Sequence, residues 1–257
     1  IATLLARVLE CAAMYLSVYL RKEYPLKAKP GELFAYSGEL FAGVMKTAVP
    51  VIITEGLWAV SVSCIFAAYG KISASAFAVS QVTDFFQTIY FGLGNASAVL
   101  LGEGLGQGKK KLTYEYSRDI LKVTWVLNVI MTAAIILLRA PVADIYTFAP
   151  ETTDMLMKAL LVYAFAMTPK MLSYMMICAI FRPGGDTMFC MYVDVACNIG
   201  LQVPLAYISV LLLDLPLHWA MARVATADVL KIFICYYRYF SKKWMNIFTG
   251  REEVEEV

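Results

Sequence analysis

The sequence predicts an all-α membrane protein, a polytopic helical bundle of about seven transmembrane helices, and three observations carry that reading. Hydrophobic residues make up 60% of the 257 residues and charged ones 16%, where soluble domains hold roughly 45–50% apolar and about 25% charged. Apolar runs long enough to cross a bilayer, which takes about 20 residues, recur along the chain. They are too continuously apolar for the alternating strands, roughly 10 residues long, of a membrane barrel. The formal net charge of +2 leaves no basic surplus for binding nucleic acid.

Each run has its own markers. The first covers residues 1–20, where Arg7 and Glu10, three apart, can neutralise each other. A connecting segment at 21–43 leads to the second run at 44–69. There Thr47, Pro50, Thr54, Trp58 and Ser61 recur at helical spacing, with Glu55 beside the stripe. In the third run, at 74–101, Ser80, Asp84 and Thr88 stand at i, i+4 and i+8, flanked by Gln81 and Gln87 and followed by Asn95. The glycine-rich stretch from Gly102 to Lys109 fits neither phosphate-loop nor dinucleotide spacing, and reads as a glycine-terminated helix entering a basic loop.

The fourth and fifth runs, at 116–138 and 155–181, precede a sixth at 187–213 that carries Asp194, Asn198 and Gln202 four residues apart. The seventh, at 216–237, opens at a short turn with Pro216 and His218 and holds Asp228 and Lys231, which at i,i+3 read as a self-neutralising pair. Pro50, Pro169 and Pro204 fall inside runs and predict kinks. The six cysteines, Cys11, Cys64, Cys178, Cys190, Cys197 and Cys235, read as small core residues, and the single histidine gives zinc chemistry little support.

An ionisable side chain near the bilayer centre costs about 2.5–3.5 kcal/mol on the mildest scale, so such residues face a cavity or a partner. Three polar stripes on three helices therefore predict a wet interior. Glu55 is the sharpest case, because the nearest cation in its own run, Lys46, lies nine residues or about 13 Å away along the axis. Around it Thr54, Trp58, Gln81, Asp84, Gln87, Asp194 and Asn198 are candidate cavity or cation neighbours. The second and third runs hold only acidic charges within the membrane, which predicts a cationic ligand.

Of the 22 Lys and Arg residues, fifteen fall in the loops after the first, third, fifth and seventh runs, and two, Lys71 and Arg139, on the opposite side. The positive-inside rule places the first set, and with it the C-terminus, in the cytoplasm of a multi-pass plasma-membrane protein. The chain opens on an apolar helix without an initiator Met, and residues 1–20 are expected to be the last helix of a preceding segment.

These motifs together resemble the C-terminal half, the sixth to twelfth helices, of a multidrug and toxic compound extrusion (MATE) transporter, of the multidrug, oligosaccharidyl-lipid and polysaccharide exporter superfamily. Ala2, Thr3 and Arg7 to Glu10 resemble the sixth helix; Pro50, Glu55 and Trp58 the seventh; Gly102, Gly106, Gly108 and Lys109 the end of the eighth. Arg182, Gly184, Gly185, Asp186 and Thr187 resemble the R-x-GGDT turn between the tenth and eleventh, a structural motif, and Arg238, Ser241, Lys242, Lys243 and Trp244 the basic tail. Where family members often carry a second acidic residue, this chain has Met171 beside Lys170.

The resemblance implies one lobe of a two-lobe secondary transporter that exports small organic, often cationic, compounds against Na⁺ or H⁺, with Glu55 as the cation-coupling residue and the Na⁺ ligand where Na⁺ is used. It implies no cofactor and no enzymatic activity. On that basis residues 1–20 close a missing N-terminal lobe, 21–43 form a cytoplasmic inter-lobe linker, 44–240 the C-terminal six-helix lobe, and 241–257 a cytoplasmic tail. The alternatives are a lipid-linked oligosaccharide flippase, which calls for a more cationic cavity and could draw on Arg7, Lys158, Lys170, Arg223 and Lys231; an intramembrane enzyme using Asp84 and Asp194 as a dyad; and a structural membrane subunit.

Overall fold

A computed structural model of the chain describes residues 2–20, 37–146 and 148–246, and among these every regular element is helical. The elements are α1 (Ala2–Leu20), α2 (Gly38–Gly70), α3 (Ala74–Asp84), a 3₁₀ turn (Phe85–Gln87), α4 (Thr88–Gly106), α5 (Lys110–Ile145) and α6 (Pro150–Tyr174). A π-helical stretch, Met175–Phe181, prolongs α6; α7 (Thr187–Asp194) runs through a second one, Val195–Gln202, into α8 (Val203–Tyr207) and a third, Ile208–Leu212; α9 (Leu217–Phe240) closes the series. The linker read at 21–43 and the tail beyond Asn246 lie largely outside the described residues.

The chain divides into two compact units, Ile1–Lys46 and Thr47–Val257. In the first, Arg7 and Glu10 pair at 2.6 Å on the exposed surface of α1, and Tyr15 stacks on Tyr19. Cys11 is exposed there, so the reading of all six cysteines as core residues fails at that position.

In the second unit the helix boundaries follow local chemistry. Ser73 caps α3 by accepting from the Ala76 N–H, and Pro150 opens α6, where a missing N–H leaves nothing unpaired. Past α4 the chain reverses through Gly108 at φ 77°, the left-handed conformation that glycine adopts without strain, as the glycine-rich terminus predicted. The third run is not one helix but two, joined by the 3₁₀ turn at Phe85–Gln87. The fourth run is longer than its apolar stretch and takes in Pro141.

Among the described residues, four helices are long and apolar enough to cross a membrane: Phe41–Gly70, Lys110–Ile145, Pro150–Phe181 and Thr187–Leu212. In the most apolar window of Pro150–Phe181, 61% of residues are buried, against 17–28% in the other three, so α6 is the central helix and the others turn apolar faces outward. It packs against α3, α5 and α9 around Tyr90, Leu156, Leu160 and Met167. A second core gathers Leu101, Phe181, Cys190 and Trp244.

That second core explains the R-x-GGDT turn. A Cβ on Gly184 would stand 2.2 Å from the Trp244 carbonyl oxygen, so only glycine lets the residues after α9 lie against this turn. Gly185 takes φ 79°, and Asp186 accepts both Nε and an Nη of Arg238, at 2.6 and 2.9 Å. Trp244 is fully buried and stacks on Tyr239. The start of the basic tail is therefore a docked part of the fold.

Candidate functional site: a charge-paired cavity

A cavity of about 630 Å³ opens among α2, α3, α4, α6, α7 with its π-helical extension, and α9, all within the second unit. Its wall holds Thr54, Glu55 and Trp58 from α2; Ser80, Thr83, Asp84 and Gln87 from α3 and the 3₁₀ turn; Asn95 from α4; and Asp194, Asn198 and Gln202 from the sixth run. The three polar stripes thus meet, as the wet-interior reading expects. The volume lies in the usual range for small-molecule sites.

Pro50, Ser61, Thr88 and the flanking Gln81 do not line it. Gln81 and Thr88 are exposed outside the wall, and Thr88 donates to its own backbone at Phe85. Gln81 lies on α3 about 100° round the helix from Ser80; for Thr88 the cause is the 3₁₀ turn, in which residues three apart eclipse, so the stripe steps from Asp84 to Gln87. Thr54 is buried and spends its hydroxyl on the Pro50 carbonyl at 2.7 Å.

The charges depart furthest from the sequence reading. The cavity is not acidic alone: Glu55, Asp84, Asp194 and Asp228 share it with Lys170, Arg182 and Lys231. Glu55, whose own helix holds no cation nearer than Lys46, receives one from another element: Arg182 Nη1 stands 2.6 Å from its Oε1. Arg182 also reaches Asp194 at 3.7 Å, and Asp194 accepts Lys231 Nζ at 2.6 Å, so a chain Glu55–Arg182–Asp194–Lys231 ties α2 to α9. Lys231 is not neutralised by Asp228, as the i,i+3 reading expects; Asp228 accepts instead from Gln202 at 2.8 Å. A fourth contact joins Lys170 Nζ to Asp84 at 3.1 Å.

Arg182 belongs to the R-x-GGDT motif, for which the resemblance implies a structural role, yet its guanidinium faces the cavity, while Gly184, Gly185 and Asp186 hold the turn. Its orientation follows from the π-helical stretch before it: the Arg182 N–H bonds to Ile177, five residues back, and such insertions re-aim the next side chains. Asp84 and Asp194 each hold their own cation, which argues against a catalytic dyad. The signal for Lys170 and Lys231 was their mere presence in spans, since a buried cation in lipid requires a carboxylate partner.

Residues 48–208 match the family described as MatE. Among solved structures, one described as MATE in complex with MaL6 superposes with a TM-score of 0.79 at 16% identity, covering 94% of this chain and 55% of that one. An outward-facing multidrug resistance MATE family transporter of the MOP superfamily gives 0.76 at 16% identity, covering 94% and 56%. A MOP superfamily transporter from Pyrococcus furiosus, described as having a binding pocket of reverse polarity that suggests a different function, gives 0.77 at 17% identity, covering 94% and 55%. This chain spans about half the length of each of these structures. Among curated proteins there is no match to it.

Proposed function

Because the chain belongs to the MatE family, we propose that it supplies one lobe of a cation-coupled antiporter that exports small organic cations across the plasma membrane. The observation that carries this reading is the cavity itself, where Trp58, Phe66, Tyr69, Phe91, Tyr163 and Tyr174 stand beside four carboxylates. Three cations share the wall, so the charge is mixed rather than cationic, which weighs against a pyrophosphate-bearing flippase substrate.

Coupling follows from the two acids that compete for Arg182. With Glu55 ionised the guanidinium rests on it at 2.6 Å; with Glu55 discharged by a proton, or held by Na⁺, Arg182 shifts toward Asp194, already 3.7 Å away. The ion thereby acts on a contact between α2 and the sixth run, and biases one arrangement of helices over another. In the two-lobe protein, ethidium accumulation in cells is expected to fall on expression and to recover on addition of a protonophore or removal of Na⁺. Export that persists without either gradient would contradict antiport.

Orientation is part of the proposal. A cysteine placed at Lys110 is expected to resist impermeant thiol reagents applied outside, and one at Asp214 to react, because the basic loops lie in the cytoplasm. The reverse labelling pattern would invert the topology and with it the direction of transport.

A further inference from the structure

Among the charged contacts of the cavity, Lys170–Asp84 is one of two that a ligand can reach, the other being Arg182–Glu55 with side chains 18% and 53% exposed. The Lys231 and Asp194 side chains are 9% and 10% exposed, whereas those of Lys170 and Asp84 are 31% and 21% exposed, so a ligand in the cavity can reach the second pair. Lys170 follows Pro169 on α6, and its Nζ lies 3.1 Å from Asp84 and 5.7 Å from the centre of the Tyr163 ring. A carboxylate beside an aromatic face is the arrangement that receives an ammonium or other organic cation. Here the protein's own ammonium occupies it.

We propose that Lys170 is a tethered stand-in for the transported cation, holding Asp84 neutralised while the cavity is empty and leaving when substrate takes its place. The inference rests on the reading of the cavity as an organic-cation site. An unpaired carboxylate at this depth would be costly, and a built-in cation removes that cost between transport events. Once displaced, Lys170 has a second carboxylate in the same cavity, Asp228, whose hydrogen bond comes from the neutral Gln202. A tethered competitor acts at an effective concentration of about millimolar or higher, so it weakens every cationic ligand and sets a threshold for which are accepted.

The test is equilibrium dialysis of tritiated tetraphenylphosphonium, a permanent cation without a proton to exchange, against the purified two-lobe protein in detergent. Lys170→Met and Lys170→Gln are expected to bind it about tenfold more tightly than wild type, and Lys170→Arg no more tightly. The tightening is expected to vanish in the Asp84→Asn/Lys170→Met double variant. Unchanged or weaker binding in both neutral variants, or equal tightening without Asp84, would overturn the proposal. So would loss of folding in both, since a displaceable lysine is not a folding requirement. Absence of binding in wild type and all variants would instead sink the organic-cation reading beneath it.

Discussion

Glu55→Gln is expected to reduce ion-driven export about a hundredfold in the two-lobe protein, while leaving the chain folded. Gln keeps the shape of Glu and can still accept from Arg182, but it neither releases a proton nor offers a full charge to Na⁺. The fold tolerates the change because Arg182 keeps Asp194 at 3.7 Å and because the Glu55 side chain is 53% exposed. The measurement is efflux under an imposed gradient, alongside equilibrium binding of the same substrate. Binding is expected to survive where driven export does not, whereas Asp84→Asn is expected to change substrate affinity and leave ion dependence in place. Coupled export at the wild-type rate in Glu55→Gln would remove Glu55 from the coupling role.

The helices were legible because lipid imposes a length and an apolar continuity that composition reveals directly, and six of the seven runs coincide with helical segments in the second unit or entering it. Glu55, Asp84, Asp194 and Asn198 were legible for the same reason: each is a polar group where lipid excludes one. What the sequence hid was pairing. Asp228 and Lys231 sit at a spacing that suits an ion pair, yet Lys231 bonds to Asp194 on another helix, 37 positions away in the chain. Local spacing ranks only local partners, and a cation on a crossing helix can come closer than one on the next turn. The role of Arg182 was hidden similarly, because its motif marks a turn and its side-chain direction depends on a π-helical stretch that hydropathy does not register. Thr88 was misplaced by a single 3₁₀ turn.

That cross-helix pairing makes Asp194 the residue whose loss the fold should feel most. Among the described residues it is the one carboxylate shared by two cations, Arg182 at 3.7 Å and Lys231 at 2.6 Å, and the Lys231 side chain beside it is 9% exposed. Asp194→Asn leaves the buried Lys231 ammonium bonded to neutral amide oxygens alone, that of the substituted side chain and that of Asn198 at 3.5 Å, in place of a carboxylate. Stranding one member of a buried pair costs about 3–5 kcal/mol, so detergent-solubilised Asp194→Asn is expected to unfold at a markedly lower temperature than wild type. Removing the stranded charge as well, in Asp194→Asn/Lys231→Met, is expected to recover most of the loss, because neutral residues of similar volume carry no desolvation penalty. Arg182 makes the complementary case: Glu55 and Asp194 each suffice to hold it, so the double variant Glu55→Gln/Asp194→Asn is expected to lose more stability than the two single changes added together. An Asp194→Asn protein as heat-stable as wild type, or strict additivity in the double variant, would break the chain of charges from Glu55 to Lys231 into unrelated contacts.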